Sequence, residues 1–166
     1  MATRLIRAEV AAAGFTIDGF VLKGELPLQQ YLEVLGPPER SFGAGQPAPA
    51  GFRNNQVHAY DKLGIYLTEH HATALIQSVN FVFDGAKCPF DIQKPYRGEL
   101  VVNGSSFRVG MLERELGLNQ LQSDLPGEYH LETVDYWIGV STQARRTKSG
   151  ARSKVREITR VSICFR

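Results

Sequence analysis

Two short stretches constrain this chain more than any others: FTIDGFVL at Phe15 to Leu22, and LVVNGSSF at Leu100 to Phe107. In each, an apolar run leads into Asp-Gly or Asn-Gly and a second run leads out. Such a dipeptide supplies two residues that tolerate positive φ, which the two-residue turn between right-twisted antiparallel strands requires. Both stretches are therefore predicted to be β-hairpins. A chain that writes one hairpin twice invites a search for what else it repeats.

Three further elements recur in the same order. PLQQYLEVLG (Pro27 to Gly36) follows the first hairpin and VGMLERELG (Val109 to Gly117) follows the second. Both are predicted short helices, with Leu28, Leu32 and Leu35 on one face of the first and Leu112 and Leu116 on one face of the second. Pro27 suits a first helical turn, and Gly36 and Gly117 suit the left-handed residue that ends a helix. YDKLGIYLT (Tyr60 to Thr68) then matches VDYWIGVST (Val134 to Thr142), and each half closes on an alternating strand, SVNFVF (Ser78 to Phe83) or RVSICF (Arg160 to Phe165). Val79, Phe81 and Phe83 point one way, as do Val161, Ile163 and Phe165.

This order predicts an α+β fold of two tandem related units, each an antiparallel sheet with one short helix packed on it. The expected boundaries are 1–84 for the first unit, 85–98 for the connection and 99–166 for the second, joined as one pseudo-duplicated body. A unit of that size has a marginal core, so the halves gain by packing together. FGAGQPAPAGFRNN (Phe42 to Asn55) reads as a loop inside the first half.

Charge divides the chain unevenly. RRTKSGARSKVR (Arg145 to Arg156) carries six of the 19 basic residues and no acid, so the remainder holds 13 basic against 17 acidic residues, a net of −4. A mildly acidic body with one cationic loop is expected. The N-terminal stretch MATRLIRAEVAAAGF has charges where a signal peptide needs an apolar segment, and no run approaches the roughly 20 apolar residues that span a bilayer. With two cysteines, Cys88 and Cys164, too few for a disulfide scaffold, a cytoplasmic protein without a membrane partner is expected.

Motifs for catalysis are scarce. GAGQPAPAG lacks the Lys-Ser/Thr of a phosphate loop, the histidines (His58, His70, His71, His130) show no zinc spacing, and no Gly-x-Ser-x-Gly occurs. No catalytic residue, metal or cofactor is expected. Asp61 and Asp135, equivalent in the two halves, suit a turn-holding role. The basic loop has no interleaved aromatics, so nucleic acid is not an expected partner.

The two matched strands instead suggest a protein partner. If Leu63, Ile65, Tyr136, Ile138 and Val140 face the helices, then Tyr60, Lys62, Tyr66, Asp135 and Trp137 lie on the opposite face. Tyr and Trp beside charge suit a binding hot spot, and packing between the halves is the alternative use of the same aromatics. With Arg145 and Arg146 of the basic loop, these are the candidate partner-binding residues.

EVLGPPER, followed by YDKLGIYL and later FDIQKPYRGELVVNG, resembles an uncharacterised bacterial domain family carrying Leu-Gly-x-Pro-x-Arg ahead of an aromatic-Asp-x-Leu-Gly-Ile strand. The resemblance covers about Phe15 to Gly104 and implies a link to toxin–immunity systems. The tandem architecture is also similar to β-lactamase-inhibitor-like proteins, though this chain lacks their secretory signal and disulfides. The function implied is a non-catalytic cytoplasmic immunity protein that occludes a cognate toxin, such as a type VI secretion effector. An adaptor module of a secretion system is the alternative, and a small enzyme with a dispersed site a third.

Overall fold

The computed structural model describes residues 5–11, 14–43, 55–85, 88, 90–92, 94–116, 121–146 and 152–166. Of these residues 56% lie in strands and 9% are helical. The strands are β1 Arg7–Ala11, β2 Gly14–Ile17, β3 Phe20–Leu22, β4 Leu26–Pro27, β5 Arg40–Gly43, β6 Gln56–Tyr60, β7 Ile65–Glu69, β8 Leu75–Val82, β9 Glu99–Val102, β10 Ser105–Phe107, β11 Gln122–Leu125, β12 Glu128–Glu132, β13 Tyr136–Arg146 and β14 Arg152–Phe165, with helix α1 at Leu28–Leu35. They form a smaller sheet, β10-β9-β1-β2-β3, and a larger one, β11-β12-β13-β14-β8-β7-β6-β5, with β4 also on β8. The chain is thus mostly β, which corrects the α+β expectation.

Both hairpins form. Asp18 and Gly19 have φ of 48° and 84°, and Asn103 and Gly104 have φ of 47° and 79°, the all-positive pair of the tight hairpin turn. Yet β2–β3 and β9–β10 belong to one sheet, on either side of β1, with β9 parallel to β1. The larger sheet likewise joins the halves, through β8 and β14. Neither half owns a sheet, so the expected tandem units, each a sheet with its own helix, are not what folds.

The second helix is also absent. Val109–Leu116 yields only a three-residue 3-10 turn, Glu113–Glu115. Gly110 has a φ of 76°, which no α-helix contains, and Leu112 is extended and bridges Glu157 of β14. The Met111 carbonyl accepts the Ile158 amide at 2.9 Å, so backbone groups that a helix would use are spent on strand pairing. Gly117 lies outside the described residues. In α1 the buried face is Tyr31, Val34 and Leu35, and Gly36 ends it with φ 77°, its N–H donating to the Leu32 carbonyl at 2.9 Å.

The main core lies between the sheets. Phe15 of β2 meets Phe81 of β8 edge-on at 6.5 Å and Phe165 of β14 at 6.0 Å, and the Phe15 amide donates to the Tyr136 hydroxyl at 2.9 Å. Across the larger sheet, Val140, Val161, Phe81 and Ile65 stand in one register row and Ile138, Ile163, Val79 and Leu67 in another. All eight are buried in this core. The outer face then carries the rows Gly139, Ser162, Asn80, Tyr66 and Trp137, Cys164, Ser78, Thr68.

The stretch after β8 crosses half of that outer face. Cys88, Phe90 and Ile92 form a second apolar cluster with Phe42, Val57, Ala59, Tyr66 and Val82. Tyr96 then returns to the main core, its amide donating to the Val82 carbonyl at 2.7 Å and its hydroxyl to the Ile6 carbonyl at 2.5 Å. Gly64, at φ 71°, makes the crossing fit, because a Cβ there would overlap the Tyr96 amide nitrogen. No helix among the described residues is long and apolar enough to cross a membrane.

Candidate functional site

Beyond the crossing segment, the outer face over β12–β14 is only half covered. Trp137, Ser141, Arg160, Ser162 and Cys164 are each partly exposed. Alternation places small side chains along the middle of this face: Ser162 and Cys164, partly exposed, and Gly139 and Ser78, buried. The Trp137 ring lies across Gly139, where a Cβ would stand 2.5 Å from Cζ3, and stacks on His130 of β12 with centroids 6.0 Å apart and planes at 17°. The glycine leaves the aromatic room to lie flat. On the far side Tyr66 packs edge-on against Phe90 at 5.1 Å.

The floor of this face is polar, and its buried Thr68, Ser78 and Asn80 side chains bond to one another. The Thr68 and Ser78 hydroxyls share a 2.6 Å hydrogen bond, and Asn80 Nδ2 donates to Ser78 Oγ at 2.9 Å. Burial pushes the Cys164 thiol up to about 11 and raises the Cys88 thiol, so neither is an activated thiolate near neutral pH. Arg160 reaches across the floor, Nη1 donating to the Tyr66 hydroxyl and Nη2 to Ser141 Oγ, both at 3.3 Å. Ser141 in turn donates to Glu128 Oε2 at 2.8 Å.

The structure separates the seven candidate residues. Tyr66 and Trp137 do share the outer face, but the crossing segment buries Tyr66 to 3% exposure. Tyr60 is 1% exposed in the main core. It ends β6, and the turn at Asp61–Gly64 resets the strand phase before Ile65. Lys62 sits on that turn, exposed, 3.7 Å from Glu39. Asp135 is exposed in the turn before β13, its carbonyl accepting the Arg166 amide at 3.1 Å. Arg145 donates through Nε to Glu157 at 2.7 Å. The Arg146 backbone pairs with Arg152, and its side chain lies outside the described residues, as does 147–151. The basic stretch is thus largely the paired ends of β13 and β14, and Arg156 within it pairs Glu113 at 2.7 Å.

A second polar group escaped the sequence reading. Ser41 of β5 bonds His58 Nδ1 at 2.8 Å, and His58 Nε2 meets Glu69 of β7 at 3.1 Å. Ser41 and His58 are direct cross-strand partners, and Glu69 is on the strand beyond. Three residues so far apart in sequence give no local signature. Their arrangement locks one end of three adjacent strands. No group of three or more metal-ligating side chains occurs among the described residues.

Fold and face together define a β protein whose larger sheet is packed on one side and half-open on the other. Residues 7–116 match the domain of unknown function DUF7738, and the chain belongs to that family. No curated protein and no solved structure matches it.

Proposed function

We propose that this chain is a non-catalytic protein-binding module that receives one partner on the half-open face of β12–β14. The observation that carries the reading is the placement of Trp137, the one tryptophan of the chain, flat over Gly139 and against His130 on that half-covered face. Tryptophan anchors beside half-buried polar groups are what protein interfaces concentrate their energy on. The motif resemblance at Leu35–Arg40 and Tyr60–Ile65 makes a bacterial toxin the first partner to test. In that form the protein is a cytoplasmic immunity factor acting by occlusion.

The experiment is a tagged purification from the native host with mass spectrometry, repeated with Trp137→Ala. Support is one dominant partner at one-to-one stoichiometry that the variant loses and that is toxic alone but harmless when co-expressed. A single non-toxic partner would make the protein an adaptor. A partner indifferent to Trp137 would remove this face from the function.

A further inference from the structure

Among the described residues Arg160 makes no direct ion pair; its nearest carboxylate, Glu128, acts on it from across the Ser141 hydroxyl. Six other arginines (Arg7, Arg40, Arg108, Arg145, Arg156 and Arg166) each lie within 4.0 Å of a carboxylate, most of them on open surface. Arg160 is largely withdrawn from solvent, yet it donates two long bonds to neutral hydroxyls, and its Nε is buried with no acceptor among the described residues. Glu128 stops one hydroxyl short, at Ser141. A guanidinium stays charged at any physiological pH, and proteins pair such a group when they withdraw it from water.

Its position says where the missing charge comes from. Ser141 and Arg160 are cross-strand partners on the outer face, and Trp137 and Cys164 are the matching pair further along the same two strands. Cation and tryptophan therefore share one half-open strip.

We propose that Arg160 anchors an Asp or Glu side chain of the partner protein, laid end-on against its two Nη groups. This rests on the outer face being the recognition face. One planar fork matches a carboxylate in geometry and charge. A phosphate dianion would meet a single cation with Glu128 beside it, and is disfavoured. The partner's carboxylate would supply the direct ion pair that the described residues do not give Arg160.

The first test is an NMR titration of arginine-labelled protein, with the Arg160 side-chain N–H signals assigned by their loss in Arg160→Gln. The probes are acetyl-Gly-Asp-Gly-amide, its Asn counterpart and inorganic phosphate, at matched ionic strength in chloride. A saturable shift with the Asp peptide alone is expected. No shift, or equal shifts with the Asp and Asn peptides, overturns the proposal, and a response to phosphate alone replaces it with a small-anion site.

The second test uses whichever protein the tagged purification captures. Arg160→Gln should weaken it on the order of 30-fold or more, with Arg160→Lys intermediate. Loss in Trp137→Ala with full binding in Arg160→Gln keeps the face and rejects the anchor. Full binding in both variants rejects the face, and the peptide titration then decides Arg160 by itself.

Discussion

Arg40 and Asp61 meet as a two-pronged ion pair, Nε to Oδ2 at 2.6 Å and Nη2 to Oδ1 at 2.7 Å. The same Nη2 donates to the carbonyls of Phe90 and Asp91, both at 3.2 Å. One guanidinium thereby ties β5, the turn after β6 and the crossing segment together. These three places lie within the stretches EVLGPPER, YDKLGIYL and FDIQKPYRG. Arg40 and Asp61 are thus spent on holding the fold rather than on a contact surface.

Asp61→Asn should accordingly cost stability without touching recognition. The Asp61 side chain is 8% exposed and that of Arg40 38%, so removing either partner should lose about 2–3 kcal/mol, somewhat under the range for a fully buried pair. Urea denaturation of Asp61→Asn, Arg40→Ala and the double variant checks this. The double loss should fall well below the sum, and simple additivity would show that the pair does not act as a unit.

Two glycines with similar positive φ contrast an open site with a crowded one. Gly36 and Gly64 have φ of 77° and 71°. Around Gly36 nothing lies within 4 Å of an added Cβ, whereas at Gly64 it would overlap the Pro95–Tyr96 backbone. Gly36→Ala should cost about 1–2 kcal/mol, the strain of a φ 77°, ψ −171° backbone that is essentially glycine's alone. Gly64→Ala should cost roughly 3 kcal/mol or more, because the crossing segment must lift off the sheet. Equal losses would mean that the contact at Gly64 is not tight.

The legible parts of this fold are those with local causes. Asp18-Gly19 and Asn103-Gly104 announce their turns because positive φ is a property of the dipeptide itself. Alternation placed Tyr136, Ile138 and Val140 inward and Trp137 outward, since one strand holds its phase along its length. Tyr60 turns into the core, against simple alternation, because the turn at Asp61–Gly64 resets the phase, and Asp and Gly within four residues are themselves a turn signal. Leu112 and Leu116 have helical spacing, but the bridge from Leu112 to Glu157 decides that segment, and it is long-range. The Arg160 cluster and the Ser41–His58–Glu69 chain are products of strand pairing, which no window of sequence displays.

Buried tyrosines set an alkaline limit. Burial raises the hydroxyls of Tyr31, Tyr60 and Tyr96 and pushes that of Tyr66 up to about 12. Above about pH 10 the unfolded chain loses these protons while the folded chain keeps them, so the unfolded state binds fewer protons and stability falls as pH rises. Each such tyrosine contributes a slope of about −1.4 kcal/mol per pH unit between its unfolded and folded values. Cys164 has the same sign from about pH 9 upward. Denaturation midpoints across this range should drop steeply, and tyrosinate absorbance should rise together with unfolding. Tyrosinate appearing well before unfolding would contradict the burial of these rings.

Tyr60 and Trp137 should behave as opposites, although alternation had put them on one face. The Tyr60 hydroxyl is buried with no hydrogen-bond partner among the described residues, so Tyr60→Phe removes an uncompensated polar group and should be neutral or stabilising by about 1 kcal/mol, with partner binding unchanged. Trp137 is partly exposed over Gly139, so Trp137→Ala should cost only about 1–2 kcal/mol of stability while weakening the partner by about 2 kcal/mol or more. Thermal melts and calorimetric titration of both variants provide the comparison. Binding lost in Tyr60→Phe and kept in Trp137→Ala would move recognition off the outer face, because a side chain in the core can affect a partner only by disturbing the sheet that carries it.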